Sequence, residues 1–158
     1  MKPAALKDDA LLKDIRRCRE EEPSALHLWW LGQSGFLACA AGKTVLFDPY
    51  LSDSLTRKYA NSDKPHVRMT ERALAPGALD FVDAVTSSHN HTDHLDAETL
   101  NPLMEASPKA KLLIPEANRE FACDRLNLAR ETPVGINEGS TVEIEGIRFT
   151  GGPAAHIA

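Results

Sequence analysis

Three of the six histidines of this chain fall within six residues, in His89-Asn90-His91-Thr92-Asp93-His94, one residue after the strand-like run Ala84-Val85-Thr86-Ser87. Imidazoles and a carboxylate at this density constrain the fold strongly. They work together only if a strand end presents them to a cation and other elements bring further ligands. In an extended segment successive side chains alternate sides, so His89 and His91 point the same way and can hold one ion. If the chain turns after His91, Asp93 and His94 reach a second ion, ~3.5–4 Å from the first, with a water or hydroxide shared between them. Neutral imidazole leaves a divalent ion its charge, so the ion stays a Lewis acid and lowers the pKa of bound water toward ~7. Asp93 is the candidate catalytic group, since a carboxylate here can bind metal, orient the nucleophile and shuttle a proton to the leaving group.

The surrounding pattern supplies a frame for such a loop. From Leu6 to about Glu22, Leu11, Ile15 and Cys18 recur at spacings of four and three among charged residues. That predicts an amphipathic N-terminal helix within residues 1–22, stopped before Pro23. Short apolar runs follow at residues 28–31, 36–39 and 44–47, broken by Gly32-Gln33-Ser34-Gly35 and Ala41-Gly42-Lys43, and they predict an antiparallel meander. Residues 51–77 are polar and without clear period, the pattern of a functional loop or lid. Then come a strand at 84–87, a helix with Asp96 as its cap, a strand at 111–114, a helix over about 117–129, and paired strands at 141–144 and 147–150. The order fits an α/β layered architecture.

Other side chains are weighed against plainer roles. His156 follows a predicted strand in Gly151-Gly152-Pro153-Ala154-Ala155-His156, where glycines allow a loop to approach a site closely. Alone it is an ordinary loop histidine, but a second strand-end histidine is what a tri-histidine site with His89 and His91 needs. Asp48 ends a strand before Pro49, and either stabilises its own turn or orients a ligand histidine. His27, beside Trp29 and Trp30, reads as a sheet-face residue. Arg57, Lys58, Tyr59 and His66 could meet an anionic substrate, although solvated charge is the plainer account.

At 158 residues, 42% of them hydrophobic, the chain has the size and apolar content of one domain over residues 1–158. Cys18, Cys39 and Cys123 are odd in number and far apart, which predicts reduced, buried thiols rather than disulfides. No apolar run reaches membrane-spanning length and no signal-peptide pattern opens the chain, so a cytoplasmic location is the default. The formal net charge of −5 argues against a broad grip on nucleic acid.

The motifs Trp30-Leu31-Gly32-Gln33-Ser34-Gly35-Phe36, Phe47-Asp48-Pro49-Tyr50-Leu51, Ser88 to Asp96 and Ala154-Ala155-His156 together resemble the N-terminal part of a metallo-β-lactamase-fold hydrolase. Within that superfamily the chain is most similar to the ascorbate-6-phosphate lactonase-like branch. The resemblance implies the N-terminal half to two-thirds of an αββα sandwich, with His89, His91 and His156 on one ion and Asp93 and His94 on a second. It implies two divalent ions, zinc or manganese, in the complete enzyme and one or none in this chain alone. A metal-bound hydroxide would attack a small lactone or ester, with an anionic substrate fitting the branch. A phosphodiesterase of the same fold and a non-catalytic metal-binding or assembly module are the rival expectations. The sequence stops two residues after His156. The bridging aspartate and the last histidine of the family's pattern therefore have no counterpart, and an oligomer or a complementary C-terminal segment is the expected partner.

Overall fold

The computed structural model describes residues 1–153. The predicted N-terminal helix is α1 (Asp8–Glu21), which buries Leu11, Ile15 and Cys18, the three positions the spacing singles out. The meander is β1 (His27–Gly32), β2 (Gly35–Ala40) and β3 (Lys43–Phe47), paired antiparallel with Trp30 opposite Phe36 and Phe36 opposite Phe47. A short helix α2 (Ser54–Lys58) follows, inside the segment expected to be irregular. Three parallel strands then extend the sheet: β4 (Ala84–Thr86), β5 (Lys111–Pro115) and β6 (Val134–Ile136), separated by α3 (Ala97–Ala106) and α4 (Arg119–Leu126). The strands lie in the order β1-β2-β3-β4-β5-β6, and β7 (Thr141–Ile144) with β8 (Ile147–Thr150) makes a separate two-stranded sheet.

Alternation along the strands divides the side chains between two layers. Leu31, Leu37, Cys39, Leu46, Val85, Leu112 and Ile114 face the helices and form the main core with Ile15, Leu100, Leu103 and Ala122. On the opposite face Val45, Ala84 and Leu113 pack under Ile144 of the β7–β8 hairpin, with Val142, Ile147 and Phe149 around them. The layers are therefore helix, mixed sheet and a second small sheet, the partial sandwich of a metallo-β-lactamase fold. The hairpin covers only the β3–β6 side of that face. Leu28, Trp30, Phe36 and Phe47, which share it through the β1–β3 register, remain 39–61% exposed.

Three details depart from expectation. The helix predicted over 117–129 is shorter, because a 3₁₀ turn (Glu116–Asn118) precedes it and Asn127 ends it in the left-handed region at φ 55°. Asp96 does sit at the N-cap of α3, but its carboxylate accepts hydrogen bonds from Ser54 Oγ and Thr99 Oγ1 instead of capping the backbone. Strand β6, in Pro133-Val134-Gly135-Ile136, is not anticipated. A side chain at Gly135 would collide with the Glu116 carboxylate, which passes over the Cβ position. All three cysteines are free and buried, as expected. No helix among the described residues is long and apolar enough to cross a membrane.

Candidate metal centre

The histidine loop leaves the carboxyl end of β4, and Asp48 leaves the carboxyl end of β3. These strands are parallel neighbours with Phe47 opposite Thr86, so the first residues beyond each are brought side by side. Ligand sites in open α/β sheets gather at such carboxyl ends. Asp48 adopts φ 42°, a left-handed conformation that aspartate tolerates better than bulkier residues, and the following Pro49 removes a backbone donor. The result is a sharp exit from β3 that turns the carboxylate toward the histidines.

Asp48 is nearly buried and its oxygens are well occupied. Oδ1 accepts from Thr86 Oγ1 at 2.9 Å and from the Ser88 backbone N–H at 3.0 Å. Oδ2 accepts from Ser88 Oγ and, at 2.6 Å, from His94 Nδ1. Burial alone would raise this carboxyl, but the hydrogen bonds from His94, Ser88 and Thr86, with the charge of His94, outweigh it and hold it below the usual carboxylate value. His94 moves the opposite way. Its hydrogen bond to Asp48, reinforced by the charges of Asp48 and Asp93, outweighs burial and raises it above the ordinary imidazole value.

These bonds assign the ring protons. An ionised carboxylate only accepts, so His94 Nδ1 must carry the hydrogen, and the unprotonated nitrogen of the neutral ring is Nε2. That Nε2 lies 3.7 Å from Asp93 Oδ2, a spacing two ligands of one cation can share. Ser88 Oγ spends its hydrogen on Asp48, so at 3.0 Å it accepts from His89 Nδ1. Asp48 therefore orients His94 directly and His89 through one hydroxyl.

The loop itself is not extended. Residues 88–95 run through bends and turns, and the backbone N–H groups of His94 and Leu95 both donate to the His91 carbonyl. Alternation is thus not what gathers the rings. His89 and His94 have centroids 4.0 Å apart, closer than the 4.7 Å between His89 and His91. Ser34, from the Gly32–Gly35 turn, shares its hydroxyl between the carbonyls of Asp48 (3.1 Å) and Asp93 (3.0 Å). Arg125 of α4 donates to the carbonyls of Asn90 and Leu95. Two further elements therefore pin the loop.

Among the described residues, Asp48, His89 and His94 form one cluster whose ligand atoms lie within 4.8 Å of one another. Asp48 belongs to it geometrically, yet four donors already fill its oxygens, so it is better suited to orienting imidazoles than to ligating a cation. The imidazoles of His89 and His94, with ring centroids 4.0 Å apart, and the Asp93 carboxylate beside His94 are donors of the kind that borderline divalent ions take. Asp93 stands next to this cluster across His94, and His91 beside His89. His156, the remaining expected ligand, lies outside the described residues. Asp48 is the functional candidate that sequence reading left undecided, and its signal was an aspartate placed at a strand exit before proline. His27 stacks on Trp29 at 5.8 Å, on the sheet, away from the loop.

A cleft of about 510 Å³ opens beside the loop, lined by Leu55, Lys58 and Tyr59 of the α2 region, by Asn90 to Asp93, and by Phe121 and Arg125 of α4. Of the basic and aromatic residues weighed for substrate contact, Lys58 and Tyr59 line it. Arg57 instead pairs with Glu98, and His66 lies near Thr56 and Tyr50.

A family model described as Beta-lactamase superfamily domain matches residues 27–158. The metal-dependent hydrolase SSO0099 of Saccharolobus solfataricus is 27% identical over 133 residues, covering 82% of this chain and 50% of that protein. The protein named Probable L-ascorbate-6-phosphate lactonase UlaG, of Escherichia coli O127:H6, is 27% identical over 99 residues, 52% of this chain and 28% of that protein. The chain thus spans half or less of these relatives. Among solved structures, CmlA, a diiron β-hydroxylase from Streptomyces venezuelae, matches with a TM-score of 0.55 and 22% identity, over 83% of this chain and 24% of that one. Identity at that level speaks for the fold alone.

Proposed function

Because this chain belongs to the β-lactamase superfamily domain family, we propose that it furnishes the ligand loop of a metal-dependent hydrolase acting on a small, anionic lactone or ester. The observation that carries the reading is the buried Asp48 carboxylate. By holding the Nδ1–H of His94, and that of His89 through Ser88, it leaves each Nε2 as the metal-binding nitrogen. The sequences of the metal-dependent hydrolase SSO0099 and of the lactonase UlaG support the same class. His89, His91 and His156 would hold one divalent ion, and Asp93 with His94 would take part in a second position. Bound zinc or manganese there supplies the Lewis acidity that makes water a nucleophile near neutral pH.

The protein's own groups then have separate tasks. Asp93 holds a proton at its carboxylate between nucleophile and leaving group, while Ser34 and Arg125 keep its loop in place through the backbone. The test is metal content after dialysis of the chain against zinc or manganese and gel filtration. Bound metal in the wild type that falls in His89→Ala and His94→Ala supports the reading, and metal content that both substitutions leave unchanged refutes it. Parallel assays on lactone and phosphodiester panels separate the lactonase from a phosphodiesterase of the same fold.

A further inference from the structure

The cleft beside the loop contains two cations, and they are differently engaged. The Arg125 guanidinium is committed to the Asn90 and Leu95 carbonyls and lies 4.3 Å from the Phe121 ring centroid. Lys58 makes no ion pair among the described residues, and its ammonium rests 5.2 Å from the Tyr59 ring centroid. Yet Lys58 does not sit on a loose loop. Helix α2 is fastened by burial of Leu55, by the Leu55 N–H donating to Tyr50 Oη at 2.9 Å, by Ser54 Oγ on Asp96, and by Arg57 on Glu98 at the start of α3. A lysine held on an anchored helix, without a carboxylate, across a cleft from His91 and Asp93 is placed to meet an anion. The exposed rings of Tyr59 and Phe121 line the same cleft and offer apolar faces to whatever lies between.

We propose that Lys58 is the specificity-determining residue of this cleft, recognising an oxyanion carried by the substrate, phosphate or carboxylate, while the remainder of the molecule lies against Tyr59 and Phe121 with its reactive end at Asp93. The inference rests on the hydrolase reading for what happens at the loop, but anion recognition itself requires neither metal nor turnover.

The test uses the metal-free chain in chelator, so that an anion cannot bind through an ion. Backbone amide resonances of Tyr59, Asn90 to Asp93 and Phe121 are followed while glucose 6-phosphate, gluconate or glucose is added. The first two separate phosphate from carboxylate, and the third is the neutral control. At least one anion should shift these resonances in the millimolar range and glucose should not. Lys58→Ala should weaken that binding about fivefold or more, and Lys58→Arg should keep it within about twofold, as expected for one charge-assisted contact. Equal binding by Lys58→Ala, equal shifts with glucose, or no shift with either anion overturns the inference. Failure here with metal still bound at His89 and His94 removes Lys58 and leaves the hydrolase reading intact. The converse result removes the hydrolase and leaves an anion site.

Discussion

Replacing Asp48 by asparagine tests the metal-centre reasoning at one atom. The Ser88 backbone N–H points at Oδ1, and a backbone amide can only donate, so the new side-chain oxygen must stay in that position. The NH₂ group is then forced into the place of Oδ2, facing His94 Nδ1 at 2.6 Å. Nδ1 becomes an acceptor, the neutral ring shifts its hydrogen to Nε2, and that hydrogen occupies the nitrogen facing Asp93. The bonds from Thr86 and the Ser88 backbone survive, so the β3–β4 junction stays in place, while the bonds of Ser88 Oγ and His94 to Oδ2 are lost with the charge. Metal binding must reverse the tautomer or break the new bond, a loss of about 10–100-fold in affinity, or about 1.4–2.7 kcal/mol. Titration against a chromophoric chelator with zinc and manganese measures the loss, and long-range ¹H–¹⁵N correlation reports which ring nitrogen carries hydrogen. If Asp48→Asn binds within about twofold of wild type, or His94 keeps its hydrogen on Nδ1, Asp48 does not control the ligand and the reasoning is wrong.

The same pair sets a pH dependence in the metal-free chain. Asp48, held below its usual 3.8, contributes stability above that value and loses it as pH falls through its lowered value. His94, raised above its usual 6.5, contributes below 6.5 and loses that contribution as pH rises through its raised value. In chelator the stability difference between wild type and Asp48→Asn should shrink as pH rises above 6.5 and through the raised value of His94, read as the gap between their thermal midpoints. Arg68, buried and lowered mainly by desolvation, donates to the carbonyls of Thr70, Ser52 and Tyr50. Arg68→Leu leaves all three without this donor and should cost about 3 kcal/mol, at about 1 kcal/mol or more for each carbonyl left unsatisfied, a fall in Tm of roughly 10 °C, with Arg68→Lys between the two. Replacing Trp30 and Phe36 by threonine on the uncovered face should lower any self-association seen by sedimentation, and an unchanged profile would show that this face is not the contact.

Elements whose signal is local were legible in the sequence. Leu11, Ile15 and Cys18 mark one side of α1, and alternation marks the meander, because a side chain's direction there follows from its own position in the repeat. Helix α2 has a single buried residue, Leu55, and is held by Asp96 and Glu98 about forty positions away, so no periodicity records it. Strand β6 is three residues with a central glycine, set by what passes over it. The histidine loop declared its chemistry by composition but not its geometry. Alternation assumes an extended chain, and the turns after Ser87 bring His94 closer to His89 than His91 is. Asp48 was undecided between its own turn and a distant histidine, because its partners Thr86, Ser88 and His94 lie 38 to 46 positions away. The register that joins them is a property of the sheet.

That register, Phe47 against Thr86, also acts as an alignment gauge. A strand advances ~3.3 Å per residue, so a slip of two residues between β3 and β4 would keep every apolar side chain on its proper face yet carry Asp48 some 6–7 Å from His94. Hydrophobic patterning cannot detect such an error, whereas the hydrogen bonds at Asp48 can. Substitutions in the strand interiors, far from any ligand, should therefore be read out as metal affinity before they are read out as unfolding.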